Sequence, residues 1–205
     1  MVEYAKKHFA HPKVCYEVLD ISGNDVSCFV ERYGQFDRIY SFFCPNWAKD
    51  PEHAFKNIPE LLKPGGGCLL LFAASSIFIQ LKKKLATTDH WQKYRKRMEN
   101  FIPPSASLVD RDDHLSYTSG VLKSANLIPT TCELLQETCS YSSLEELTGR
   151  LMDLTFLSTL VTEAEKPLLL KDVTVHAANL WAKKEACAAL FGVTNFLVRA
   201  HKPRP

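Results

Sequence analysis

Residues 36–74, FDRIYSFFCPNWAKDPEHAFKNIPELLKPGGGCLLLFAA, restrict what this chain can fold into more than any other stretch. They read as strand, short loop, amphipathic helix, glycine turn and second strand, which is one right-handed parallel βαβ unit. Ile39, Tyr40, Phe42 and Phe43 make an apolar, aromatic run of strand length. Asp50 then offers an acceptor to the free amides of a helix start, and Pro51 suits the first helical position because its φ is already set. Ala54, Phe55, Ile58, Leu61 and Leu62 recur at helical spacing and form one apolar stripe. Pro59 removes an amide from that helix and kinks it or ends its first part. Pro64 stops the helix, and Gly65, Gly66 and Gly67 leave the backbone free to reverse. Residues 68–72, CLLLF, are apolar without alternation, which predicts a strand covered on both faces in an open α/β sheet.

The flanks are read in the same way. Residues 1–9 carry a partial apolar stripe and predict a helix. Residues 14–21, VCYEVLDI, alternate and predict a strand that ends at Asp20. Residues 24–33 predict a short helix capped by Asn24 and closed by Gly34. After the central unit, residues 76–85 and 90–100 read as helices, and Pro103-Pro104 stops the second. A polar loop over 108–114, a helix over 117–126 and a strand over 131–140 come next. Ser143, with Glu146 three residues on, makes a capping box for a helix over 144–161. A further helix over 166–189 and a closing strand over 192–201 complete the chain.

With 205 residues and 46% hydrophobic content, the chain can bury one sizeable core, so a single domain is expected. A net charge of +2 is too mild to point to a nucleic-acid partner. Lys82, Lys83 and Lys84, with Arg95, Lys96 and Arg97 nearby, read as solvated helix faces. The seven cysteines are odd in number and show no CxxC spacing, as reduced thiols would. Seven histidines without HxxxH or HxH spacing give no metal site. The charged start MVEYAKKHFAHPK lacks the apolar run of a signal peptide, and no stretch approaches ~18 apolar residues. The expectation is a soluble, cytoplasmic chain with no membrane partner; its oligomeric state is not legible.

The ordered set LDI (19–21), FDRIYSF (36–42), NW (46–47), LKPGG (62–66) and LLLFA (69–73) resembles the class I S-adenosylmethionine-dependent methyltransferases. Within them, SFFCPNW, DPEHAFKNI and LLLFAASS most resemble the juvenile hormone acid methyltransferases of arthropods. The resemblance implies a Rossmann-like sheet, mostly parallel, with an antiparallel C-terminal hairpin and helical acceptor-pocket insertions at about 76–126 and 143–190. It implies S-adenosyl-L-methionine as cofactor and a small carboxylic acid as substrate, with an isoprenoid acid of the juvenile-hormone or farnesoic type as first choice. In that family two strands and a Gly-rich loop precede the segment matching Met1. The eight glycines here, at 23, 34, 65–67, 120, 149 and 192, supply no such loop. The first two strands are therefore expected to be missing, so that the strands at Val14 and Asp37 pair directly or leave open edges, and stability is marginal. A catalytically inactive fragment or small-molecule-binding remnant, and the same cofactor with another acceptor, remain open alternatives.

Ligands of open α/β sheets bind at the carboxyl ends of the strands, and three spots lie there. At the first, the resemblance implies that Asp20 accepts the adenine amino group while Ile21 packs on the ring; alternatively Asp20 only caps the Ser22-Gly23 turn. The second runs from Ser41 to Trp47. Here Ser41 and Phe42 are expected at the cofactor, Phe43 and Asn46 at the substrate, and Trp47 beside both reacting groups, where aromatic faces attract a sulfonium. Ordinary packing is the other reading of Trp47. The third spot holds Ser76, with Ile77, Phe78, Trp91, Tyr94, Met98 and Phe101 as either an apolar tunnel or plain core. A carboxylate nucleophile is already ionised at neutral pH, so no catalytic base is expected.

Overall fold

A computed structural model describes residues 1–48, 50–187 and 191–205. Helices α1 (Val2–His8) and α2 (Val26–Tyr33) precede strand β1 (Phe36–Phe42), helix α3 (Pro51–Leu61) and strand β2 (Leu62–Ser76). Helices α4 (Ile77–Ala86), α5 (Arg95–Glu99) and α6 (Arg111–Ser124) lead to strand β3 (Ile128–Cys139). Helices α7 (Leu144–Leu154) and α8 (Lys166–Cys187) come before the last strand, β4 (Phe191–His201).

The central unit forms as its residues dictate. The Asp50 carboxylate accepts the His53 amide at 3.0 Å, and Pro51 opens α3. The stripe Ala54, Phe55, Ile58 and Leu61 is buried. Pro59 falls in the last turn of α3, which ends two residues later. The Pro59 carbonyl accepts the Leu62 amide there, and the Lys202 ammonium donates both to it and to the Leu62 carbonyl, at 2.8 and 2.9 Å. Gly65 takes φ 75°, and its amide donates to the Lys202 carbonyl. The Lys-Pro-Gly run is thus the first, bulged part of β2 rather than a separate turn: pairing skips from Phe36–Leu62 to Arg38–Gly67.

The sheet order is β1-β2-β4-β3, with β1 and β2 parallel and the β2–β4 and β4–β3 pairs antiparallel. This is a mixed sheet with the expected antiparallel hairpin. Its parallel part is smaller than expected because residues 14–21 form no strand. His11 and Val14 make an isolated bridge, and Val18 is 77% exposed. A strand is held by its ladder. The outer edge of β1 carries no strand among the described residues, so of the two outcomes expected, it is the open edge that occurs.

Two apolar clusters divide the burial. One joins Phe55 and Ile58 of α3, Leu122 of α6 and the sheet residues Leu70, Phe72, Phe196 and Val198. Because these helices cover the Cys68, Leu70 and Phe72 face, Leu69 and Leu71 on the other face stay half-buried, unlike the doubly covered strand expected. The second cluster gathers Leu81 and Leu85 of α4, Leu147 and Leu151 of α7, Leu169 and Val173 of α8, with Trp91 and Met98 between them.

Several boundaries differ from expectation: the helix expected over 90–100 is a 3-10 stretch, Asp89–Tyr94, followed by the short α5, and β3 starts at Ile128 rather than at 131. Asp25, not Asn24, precedes α2, and it makes no side-chain cap. α6 begins at Arg111, inside the expected loop. The helix starting at Leu144 ends at Leu154, and a 3-10 turn over Phe156–Thr159 succeeds it. Of the expected helix over 166–189, its last two residues lie outside those described.

Candidate functional site

β1 ends on a strained residue. Phe43 takes φ 59°, a left-handed conformation that is costly for a bulky side chain and recurs at functional sites. Its amide donates to the Leu71 carbonyl at 2.7 Å, and the Asn46 side-chain oxygen accepts the Ala73 amide at 2.9 Å. These two bonds hold the turn Cys44–Trp47 over the carboxyl end of β2. The adjoining helix α4 is capped by Ser76, whose hydroxyl accepts the Ile79 amide at 3.2 Å.

Between these parts lies a cavity of about 430 Å³, within the ~300–1,000 Å³ span of small-molecule sites. Phe43 and Trp47 form its exposed rim, and Asn46 and Ser76 also line it. Phe78 and Phe101 add apolar wall, Lys82 and Asn195 are buried in its lining, and Glu137 and Arg150 reach it from the hairpin and α7. Trp47 lies 6.4 Å from the Phe101 ring, and the Lys82 ammonium lies 4.8 Å from the Trp47 ring centre. One face of the indole is thus already engaged by a cation. Burial alone pushes the Lys82 pKa down, since the charged form has lost water.

The four expected substrate residues, Phe43, Asn46, Trp47 and Ser76, share this cavity. Asp20, Ile21, Ser41 and Phe42 do not line it. The Asp20 carboxylate accepts the Ser22 amide at 2.9 Å, so it caps its own turn, while Asn57 binds the Ile21 and Gly23 carbonyls at 2.8 and 3.0 Å. Asp20 nevertheless lies near the second loop. The Cys44 thiol is raised chiefly by desolvation, opposed by the Ser41 hydroxyl, and raised further by the charge of Asp20. Phe42 is largely exposed on the open edge of the sheet. Of the tunnel candidates, Ile77, Trp91 and Met98 are buried in the helical core and Tyr94 packs against it; Phe78 and Phe101 reach the cavity.

Sequence reasoning misses Lys82 and Asn195. The run Lys82, Lys83 and Lys84 reads as solvated, yet Lys82 is only 6% exposed. The signal is present: Lys82 comes three residues after Ile79 and three and four before Leu85 and Ala86, which puts it on the apolar stripe of α4. Asn195 is 1% exposed, and its side-chain oxygen has no hydrogen-bond partner.

Among the described residues no group of three or more His, Cys, Asp or Glu is placed to hold a metal ion, and no helix is long and apolar enough to cross a membrane. A methyltransferase-domain family model matches residues 1–70. The juvenile hormone acid O-methyltransferase of Drosophila melanogaster is 41% identical over 106 residues, 51% of this chain and 35% of the fly protein. Its Bombyx mori counterpart is 36% identical over 104 residues, 51% of this chain and 36% of the silkworm protein. The matches therefore span about a third of those relatives. A provisionally assigned methyltransferase from Bacillus halodurans C-125 superposes with a TM-score of 0.52 at 14% identity, covering 98% of this chain and 78% of its own. The YcgJ protein of Bacillus subtilis gives 0.50 at 13% identity, covering 100% and 79%. In fold this chain is thus a Rossmann-like α/β domain similar to the methyltransferase structure it superposes on, and through half its length it is similar in sequence to the juvenile hormone acid O-methyltransferases.

Proposed function

We propose that the chain serves S-adenosylmethionine-dependent methyl transfer to a small carboxylic acid, an isoprenoid acid first among them, giving a methyl ester. The observation that carries this reading is the aromatic-rimmed cavity of about 430 Å³ at the carboxyl ends of β1 and β2, where open α/β sheets bind ligands. The sequence likeness to enzymes named for an acid acceptor supports it.

The residues present fit the cofactor in part. One carboxylate oxygen of Asp20 is engaged in its own cap while its charge reaches Cys44 of the turn that rims the cavity, and Asn195 is a buried residue of the cavity lining. When bound, S-adenosylmethionine supplies an electrophilic methyl group on a sulfonium. Asp20 would accept from the adenine amino group, Ile21 would pack on the ring, and Ser41 and Phe42 would flank it. Phe43, Trp47, Phe78 and Phe101 line the acceptor site and keep water from the anion. Asn46, fixed by its bond to Ala73, holds the Trp47 turn in place. A carboxylic acid of pKa about 4 arrives ionised, so the chain needs to supply alignment and a dry site rather than a base.

Incubating the chain with methyl-labelled S-adenosylmethionine and farnesoic acid should yield labelled methyl ester, read by chromatography. Label on farnesol instead would shift the reading to another acceptor. No product, with no calorimetric heat from S-adenosylmethionine or its demethylated form, would sink the transfer reading.

A further inference from the structure

The cavity holds a buried cation with no ion-pair partner among the described residues. Lys82 is 6% exposed, lines the cavity and rests its ammonium 4.8 Å from the Trp47 ring centre. No ion pair among the described residues involves it, and the other charged groups lining the cavity, Glu137 and Arg150, lie on exposed residues. A buried ammonium without a counter-charge is costly, and such groups persist where a ligand supplies that charge. A second buried group points the same way. Asn195 is 1% exposed, and its carbonyl oxygen is unpartnered; a half-turn of the amide presents its NH₂ to the same space.

We propose that Lys82 anchors the head of an amphipathic monocarboxylic acid in this cavity, with Trp47 behind the ammonium, Asn195 donating to the carboxylate, and the hydrocarbon lying along Phe43, Phe78, Ile79 and Phe101. The assignment rests on the acid-acceptor reading above and adds the residue that selects for charge. It also gives the product a reason to leave. A carboxylate oxygen lone pair forms the new O–CH₃ bond, the S–CH₃ bond breaks, and its electron pair stays on sulfur, so the anion becomes a neutral ester. Lys82 then loses its partner, and the ester is released in preference to the acid. Because attack consumes the charge that Lys82 stabilises, the contact lowers KM without raising kcat.

The test uses the chain with farnesoic acid and its methyl ester in calorimetric titrations, without S-adenosylmethionine. The acid should bind roughly 10- to 100-fold more tightly than the ester, the range of a hydrogen bond to a charged group. Lys82→Met should abolish that preference and Lys82→Arg should keep most of it, with circular dichroism confirming that both variants fold. Removing an unpaired buried charge should not by itself unfold the helix. Equal affinity for acid and ester, persistence of the preference in Lys82→Met, or failure to bind either ligand would overturn the assignment. Because no cofactor enters, acid binding without methyl transfer would defeat the transfer reading and leave Lys82 in its role.

Discussion

Glu165 shows how much one surface carboxylate can gather. It accepts from the Thr162 amide at 2.9 Å, the Thr162 hydroxyl at 2.8 Å and the Tyr94 hydroxyl at 2.9 Å, and pairs with Lys93 at 2.7 Å. Lys93 first, then the Thr162 amide, hold its pKa at about 2 instead of 4.5, and the same contact raises that of Lys93. A carboxylate held below its unfolded value stabilises the fold at pH above about 4.5, and that contribution fades as pH falls toward about 2. Glu165→Gln should therefore weaken the protein at neutral pH and flatten the fall in stability across that acid window, as read from urea midpoints at a series of pH values. A slope equal to that of the unaltered chain would show that the cluster carries no linked proton. The capping half of this arrangement is open to sequence reasoning, since Thr162 and Glu165 have capping-box spacing. The pairing with Lys93 is not, because 72 positions separate the two in the chain.

Among elements, α3 depends most on something distant. Its start is local, set by Asp50 and Pro51, but its end leans on the Lys202 ammonium from beyond β4. Lys202→Met keeps the aliphatic stem and removes the donor, so it should cost about 1 to 2 kcal/mol in chemical denaturation. Lys202→Arg should recover part of this loss. The helix stripes, the capped starts of α3, α4 and α7, and the β1–α3–β2 order arise from spacing and caps that are legible in the residues themselves. Residues 14–21 alternate equally well but do not make a strand, since alternation specifies a face and a strand also needs a neighbour.

For the whole molecule the consequence is an open edge. Tyr40 is 64% exposed and Phe42 61%, on a strand whose outer amides and carbonyls have no strand partner among the described residues. Exposed apolar edges template association, and a lysine blunts them. Light scattering should therefore rise with protein concentration, and Tyr40→Lys should reduce it while leaving the far-ultraviolet circular dichroism unchanged. Equal scattering from both proteins would show that this edge is not where copies meet.

What the residues alone determined is the βαβ unit and the loop carrying Phe43, Asn46 and Trp47, because caps, glycines and apolar periods act within a few positions of one another. Only the tertiary structure decided the polarity of the cavity. Lys82 and Asn195 come from α4 and β4, more than a hundred positions apart, and whether a lysine on an apolar stripe meets solvent or a closed space depends on what packs opposite it. The same distinction governs Asp20, whose turn is written locally while its approach to Cys44 depends on how the chain crosses the sheet.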